Sequence, residues 1–184
     1  MTNRDTDPEG YLFFGGHQPS KDGTITQSCL SQWYPCRFVE DGKVYKSAEQ
    51  YMMAAKARLF GDDAALARIM SATSPRDCKR LGRSIKGFSE ELWKAKRFDI
   101  VVLGNCHKFG QNLELGEFLM NTGNKTLVEA SPYDRIWGVG MSADDPRIND
   151  PRNWRGMNLL GFALMSVRDY LRKRSEKHED DVYP

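Results

Sequence analysis

The 184-residue chain has no run of about 18 apolar residues, the shortest stretch that makes a helix across a bilayer. Its first ten residues, MTNRDTDPEG, are polar and acidic and lack the apolar centre of a secretory signal. Charge of one sign is also scarce. The 27 basic and 25 acidic side chains leave a net +2, too little for a protein that holds nucleic acid by bulk charge alone. The four cysteines, Cys29, Cys36, Cys78 and Cys106, form no CxxC pair, so the two close ligand pairs of a structural zinc site are missing. The strings GxxxxGK[ST], HExxH and GxSxG do not occur, which removes the usual signatures of phosphate loops, zinc peptidases and serine hydrolases. The expectation is a cytoplasmic (intracellular) protein with reduced thiols, no membrane contact, no metal and no cofactor.

Present instead is an aromatic surplus: 4 Trp, 7 Tyr and 9 Phe in a chain whose mean hydropathy is −0.62. Some of those rings are expected outside the core. The length fits one domain, read here as residues 11–173 between a flexible N-terminus (1–10) and a flexible charged tail (174–184).

Local patterns divide that domain. YLFFGG at 11–16 reads as a strand ending in a turn, and His17–Gln27 as a polar loop. RFVEDGKVY at 37–45 reads as a hairpin around Asp41-Gly42. Ser47 stands three before Gln50, the spacing of a capping box, and opens a helix to about Phe60. A second helix follows Gly61 and runs to about Ser71, and Ser74-Pro75 opens a third through Gly82. Ser89 caps a long helix from Glu90 to about Phe109, and a short one covers 112–121. Thr126–Ala130 reads as a strand, 131–153 as loop rich in Gly, Pro and Asp, and Asn158–Arg172 as an amphipathic helix. The class is α+β: helix-rich, with a small sheet or hairpin.

Four clusters can carry chemistry. In SAEQYMMAAK, Glu49 and Lys56 are seven residues apart, hence two turns apart on one helix face. They are either a solvated acid and base, or a carboxylate and a burial-activated lysine lining one pocket, the latter able to form a Schiff base. In EASPYDRIWGVG, Asp134 precedes Trp137, Gly138 and Gly140. The tryptophan is either a core plug or a platform for a flat heterocycle. LSQWYP places Trp33 before the hairpin, and RLGR with Lys79 and Lys86 forms a modest basic cluster that includes Arg83. Either packing or ligand contact explains each of these two.

Taken in order, LSQWYPCRF, DGKVYKSAEQYMMAAKA, LGR, LMNTGNKTLVEASPYDRIWGVG and NLLGFALMSVR resemble the NADAR, or YbiA-like, family from about Tyr11 to Arg172. The resemblance implies an N-glycosidase that breaks a ribose C1–N bond. One implied substrate is ADP-ribosylated guanine in nucleic acid; the other is an early riboflavin-pathway aminopyrimidine ribosyl phosphate. It implies catalytic roles for Glu49, Lys56 and Asp134. Trp33, Tyr51, Arg83, Trp137, Gly138, Gly140 and Asn158 are expected to bind substrate. Lys56 would attack the anomeric carbon while the carboxylates move protons; alternatively a carboxylate activates water without a covalent step. Where many relatives carry Asn-Phe and His, this chain has Gln32-Trp33 and Gln50, so Gln50 is assigned no proton transfer. The reading from another class is a non-catalytic ADP-ribose or NAD-binding module, which explains Trp137 and the glycines but leaves Glu49 and Lys56 without a task. A weaker one is a helical interaction domain using the face of 158–172.

Overall fold

The computed structural model describes residues 10–180. Six helices pack around two minimal sheets: α1 (Ala48–Leu59), α2 (Asp63–Ser71), α3 (Pro75–Gly82), α4 (Glu90–Gln111), α5 (Leu113–Asn121) and α6 (Leu159–Asp180). Strands β2 (Phe38–Glu40) and β3 (Lys43–Tyr45) form the expected hairpin. Asp41 and Gly42 turn it with φ of 48° and 72°, the pair of positive values a two-residue turn needs to match strand twist. Strand β1 (Tyr11–Phe14) pairs in parallel with β4 (Thr126–Glu129), Tyr11 opposite Thr126 and Phe14 opposite Glu129.

The serine caps work as the sequence suggests. Ser47, Ser74 and Ser89 each accept a backbone N–H three residues on, and Pro75 occupies the first position of α3. Gln50 departs from the ideal box: its Oε1 accepts from the Lys46 N–H at 2.8 Å, one residue before the cap. Its Nε2 donates to Ile69 and Met70 carbonyls at 3.0 and 3.3 Å, tying α1 to α2. Its amide is thereby spent on structure.

Helix α1 is the centre of the molecule. Residues 48–54 and Ala57 are buried, so it is enclosed on nearly all sides. The main core gathers Phe14, Leu30, Phe38, Tyr45, Phe109, Leu119, Leu127, Leu160 and Leu164 about it. Deep in that core lies Lys108, fully enclosed, whose Nζ donates to the Ser31 carbonyl at 2.8 Å beneath the rings of Tyr34 and Phe109. Burial holds the pKa of Lys108 below the ordinary lysine value.

Two boundaries differ from the sequence reading. The segment 131–153 is ordered by short 3-10 turns at Pro146–Asn149 and Pro151–Asn153, each capped by an aspartate. Helix α6 continues to Asp180 rather than ending near Arg172, because the stretch after Arg172 is rich in Lys, Arg and Glu and contains no glycine or proline before residue 184. The expected loose residues 1–9 and 181–184 lie outside the described residues.

Candidate active site

A cleft of about 470 Å³ opens between α1, the end of α3, the segment 31–33 and the loop after β4. One face of α1 supplies Glu49, Met52, Met53 and Lys56, the set that a 3.6-residue repeat places in line. The segment bearing Trp33 is pinned from three sides. Lys108 holds the Ser31 carbonyl, Asn105 Nδ2 donates to Gln32 Oε1 at 2.8 Å, and the Glu49 N–H donates to the Gln32 carbonyl at 2.8 Å. Trp33 leans on His17 with ring centroids 5.3 Å apart, and Lys79 Nζ lies 5.8 Å from its ring centroid.

Three carboxyl groups converge here: Glu49, Glu129 and Asp134. Glu49 is 3% exposed. Desolvation pushes its pKa up to about 7, with Lys79, the Trp33 indole N–H and Lys56 opposing and Asp134 adding to the rise. Glu129 is raised to about 8, again by desolvation first and then by the negative charge of Asp134 and Glu49, with Lys79 opposing. Its Oε2 is enclosed and has no hydrogen-bond partner within the protein. Like charges this close cannot all ionise together, so near neutral pH the cleft retains protons on carboxyl oxygen. Asp134 is fixed by its own loop, Oδ1 accepting from the Ile136 and Trp137 N–H groups at 2.9 and 2.8 Å.

Lys56 lies two turns along from Glu49 and donates to the Gly82 carbonyl at 2.8 Å. Its Nζ sits 4.5 Å from the Phe88 ring centroid and 5.3 Å from that of Trp93. That partly apolar housing depresses its pKa, with Glu49 opposing. The group is thus closer to a neutral, nucleophilic amine than a surface lysine is.

The cleft brings together Trp33, Glu49, Lys56, Arg83, Asp134 and Trp137. Tyr51 is a correction. It points from the opposite side of α1, 3% exposed, with its hydroxyl donating to Glu40 at 2.8 Å and its ring against Tyr45 and Phe38. Two residues along a helix is about 200° of rotation from Glu49, which sets it on the far face. Gly138 and Gly140 are buried and do not line the cleft. A Cβ on Gly138 would come within 2.9 Å of the Glu129 carbonyl, so this glycine permits the loop to lie against β4 rather than a phosphate to approach. Gly140 has φ of 67° and turns the loop between Arg135 and Arg155. Asn158 is fully buried; its Oδ1 accepts from the Glu129 N–H at 3.0 Å and its Nδ2 donates to the Leu127 carbonyl at 2.9 Å. It clamps β4 and touches no cleft space.

Glu129 and Lys79 are site residues that the sequence does not single out. Glu129 ends a strand motif, and only the pairing of Phe14 with Glu129 shows where its side chain falls.

A sequence model described as the NADAR domain matches residues 13–172. The chain belongs to the NADAR family. Among NADAR relatives, an N-glycosidase of Acanthamoeba polyphaga mimivirus is 45% identical over 165 residues, covering 86% of this chain and 95% of that protein. N-glycosidase YbiA of Shigella boydii serotype 4 is 30% identical over 131 residues, 71% of this chain and 73% of its own. A riboflavin biosynthesis protein of Vibrio vulnificus is 29% identical over 146 residues, 79% of this chain but 36% of its own length. The NADAR fold is also seen in the NMR structure of the Escherichia coli protein YbiA, with a TM-score of 0.74 and 24% identity over 94% of this chain and 91% of that one. The helix-rich α+β class is the architecture found. No helix among the described residues is long and apolar enough to cross a membrane.

Proposed function

We propose that the protein is an N-glycosidase that removes ADP-ribose from ADP-ribosylated guanine in nucleic acid. The observation that carries the reading is the cluster of Glu49 and Glu129, two buried carboxyl groups that hold protons near neutral pH, in one cleft with an amine of depressed pKa. Cleaving a ribose C1–N bond needs a proton for the departing base and a nucleophile for C1, and such a cluster supplies both.

Lys56 Nζ attacks C1 as the C1–N bond breaks and its electron pair leaves with the base. Glu49 or Glu129 protonates the base nitrogen. Opening of the sugar ring gives an imine between C1 and Nζ, and water activated by a carboxylate of the same cluster then adds to C1 and regenerates the amine. Trp33 and Trp137 offer flat faces to the base, and Arg83 at the end of α3 offers a guanidinium to phosphate. With three carboxyl groups in the cleft, a non-covalent route in which water attacks C1 uses the same acid.

The second reading is hydrolysis of an aminopyrimidine ribosyl phosphate, favoured by the riboflavin biosynthesis relative of Vibrio vulnificus. A non-catalytic ADP-ribose-binding module would leave the buried carboxyl pair as an unrelieved cost. The test is incubation with an oligonucleotide carrying ADP-ribosyl guanine and, separately, with the aminopyrimidine ribosyl phosphate, followed by chromatography of the products. Release of ADP-ribose and unmodified oligonucleotide is expected. Turnover of the aminopyrimidine compound alone would install the second reading, and binding without release from either would sink the enzyme.

A further inference from the structure

Behind Trp33 lies a second pocket of about 380 Å³ that shares only His17 and Trp33 with the catalytic cleft. Its walls include Pro19, Pro35, Ala72, Pro75 and Cys78, and no carboxylate lines it. The polar groups of its floor are already engaged: the Gln50 amide by Lys46, Ile69 and Met70, and the Ser47 oxygen by the Gln50 N–H. Such a chamber does no proton chemistry and suits a flat apolar group. A cation stands on each side of the shared wall. Lys79 lies against Trp33 and lines the catalytic cleft. Lys46 lines the second pocket, with an exposed side chain that makes no ion pair or hydrogen bond among the described residues.

We infer that this second pocket receives the nucleoside end of a nucleoside diphosphate attached to the ribose in the catalytic cleft, the diphosphate crossing the Trp33 wall between Lys79 and Lys46. The inference rests on the ribosyl substrate under Proposed function and names its remote half. A mononucleotide substrate has no group to place there, so the pocket would separate the two substrate classes by binding rather than by chemistry.

The experiment is isothermal titration calorimetry with two probes, ADP-ribose and ribose 5-phosphate, on the full chain and on Thr73→Trp and Lys46→Glu. Both positions are exposed, and Thr73 lies at the pocket edge where an indole would fill it. Thermal melting checks that both variants fold. ADP-ribose is expected to bind the unaltered protein at least tenfold tighter than ribose 5-phosphate. Each variant should weaken ADP-ribose tenfold or more and leave ribose 5-phosphate unchanged. Equal affinity for the two probes, ADP-ribose binding unaltered in both variants, or parallel loss of both probes would overturn the assignment. A protein that binds ADP-ribose through this pocket yet releases no base refutes the glycosidase reading and leaves the pocket assignment in place.

Discussion

Replacing Glu49 with glutamine should make the protein more stable and nearly inactive, with a pH dependence that identifies the cause. Burial lifts the Glu49 carboxyl from 4.5 to about 7. Below pH 4.5 it is protonated in folded and unfolded chains alike and costs nothing. Between 4.5 and about 7 the unfolded chain gives up its proton while the folded one retains it, so stability falls as pH rises. Above about 7 the penalty is complete. A tenfold change in an acid constant is worth about 1.4 kcal/mol, so the penalty at pH 7 is about 3 kcal/mol. Glutamine has the same shape and no charge to desolvate. Its gain should therefore be under about 1 kcal/mol at pH 5 and approach about 3 kcal/mol at pH 7, or about 6–12 °C in Tm for a chain of this size. Coupling to Glu129 and Asp134 pulls the gain below that ceiling, since these neighbours share the titration. Turnover should fall about a hundredfold or more, with KM little changed, as expected of a lost proton donor. Differential scanning calorimetry from pH 5 to 8 beside a turnover assay measures both halves. A Tm difference that is the same at pH 5 and pH 7, or a variant that melts below its parent at pH 7, refutes the reasoning.

Borohydride added during turnover should trap ribose on the wild-type protein, with mass spectrometry locating the adduct at Lys56; a nearly active Lys56→Ala with no adduct elsewhere selects the water route. The pH profile of kcat/KM should fall above about 8, where Glu49 and Glu129 lose their protons; a rate still rising at pH 9 removes them as acids. Asn158→Ala should cost about 3 kcal/mol, from two buried hydrogen bonds and a φ of 52° that alanine resists. Asn158→Gly should relieve the backbone part alone, and chemical denaturation giving both variants the parent's midpoint would dismiss the clamp. Gly104→Ala places a Cβ 2.4 Å from the Tyr51 ring, so it should destabilise by about 1–3 kcal/mol; an unchanged melting curve would contradict that packing.

Much of this molecule is legible in its sequence because the signals are local. Serines at 47, 74 and 89 state where helices begin, and Asp41-Gly42 states where the hairpin turns. The Glu49–Lys56 face follows from helical period alone, and the cleft gathers both. Tyr51 shows the complementary failure: adjacency within a motif suggests a shared role, while rotation about the helix axis separates the side chains. Glu129, Gly138 and Asn158 were opaque for a different reason. Their placement depends on how β4 meets β1 and how the following loop folds back on it, contacts no local pattern encodes. An asparagine in that loop reads equally well as a ligand or as a clamp until its two partners are known.

The pairing of residues 11–14 with 126–129 also fixes when the enzyme can come into being. Glu49 and Lys56 take their helical positions from short-range structure, but Glu129 is placed only after a strand from one end of the domain finds its parallel neighbour near the other. Contacts of that sequence separation form late and slowly in folding. A nascent chain released before Asn158 would carry the lysine without the carboxyl pair and the clamp behind it. Catalysis is therefore a property of the finished domain, and its appearance during refolding should coincide with the last cooperative step rather than with the growth of helix.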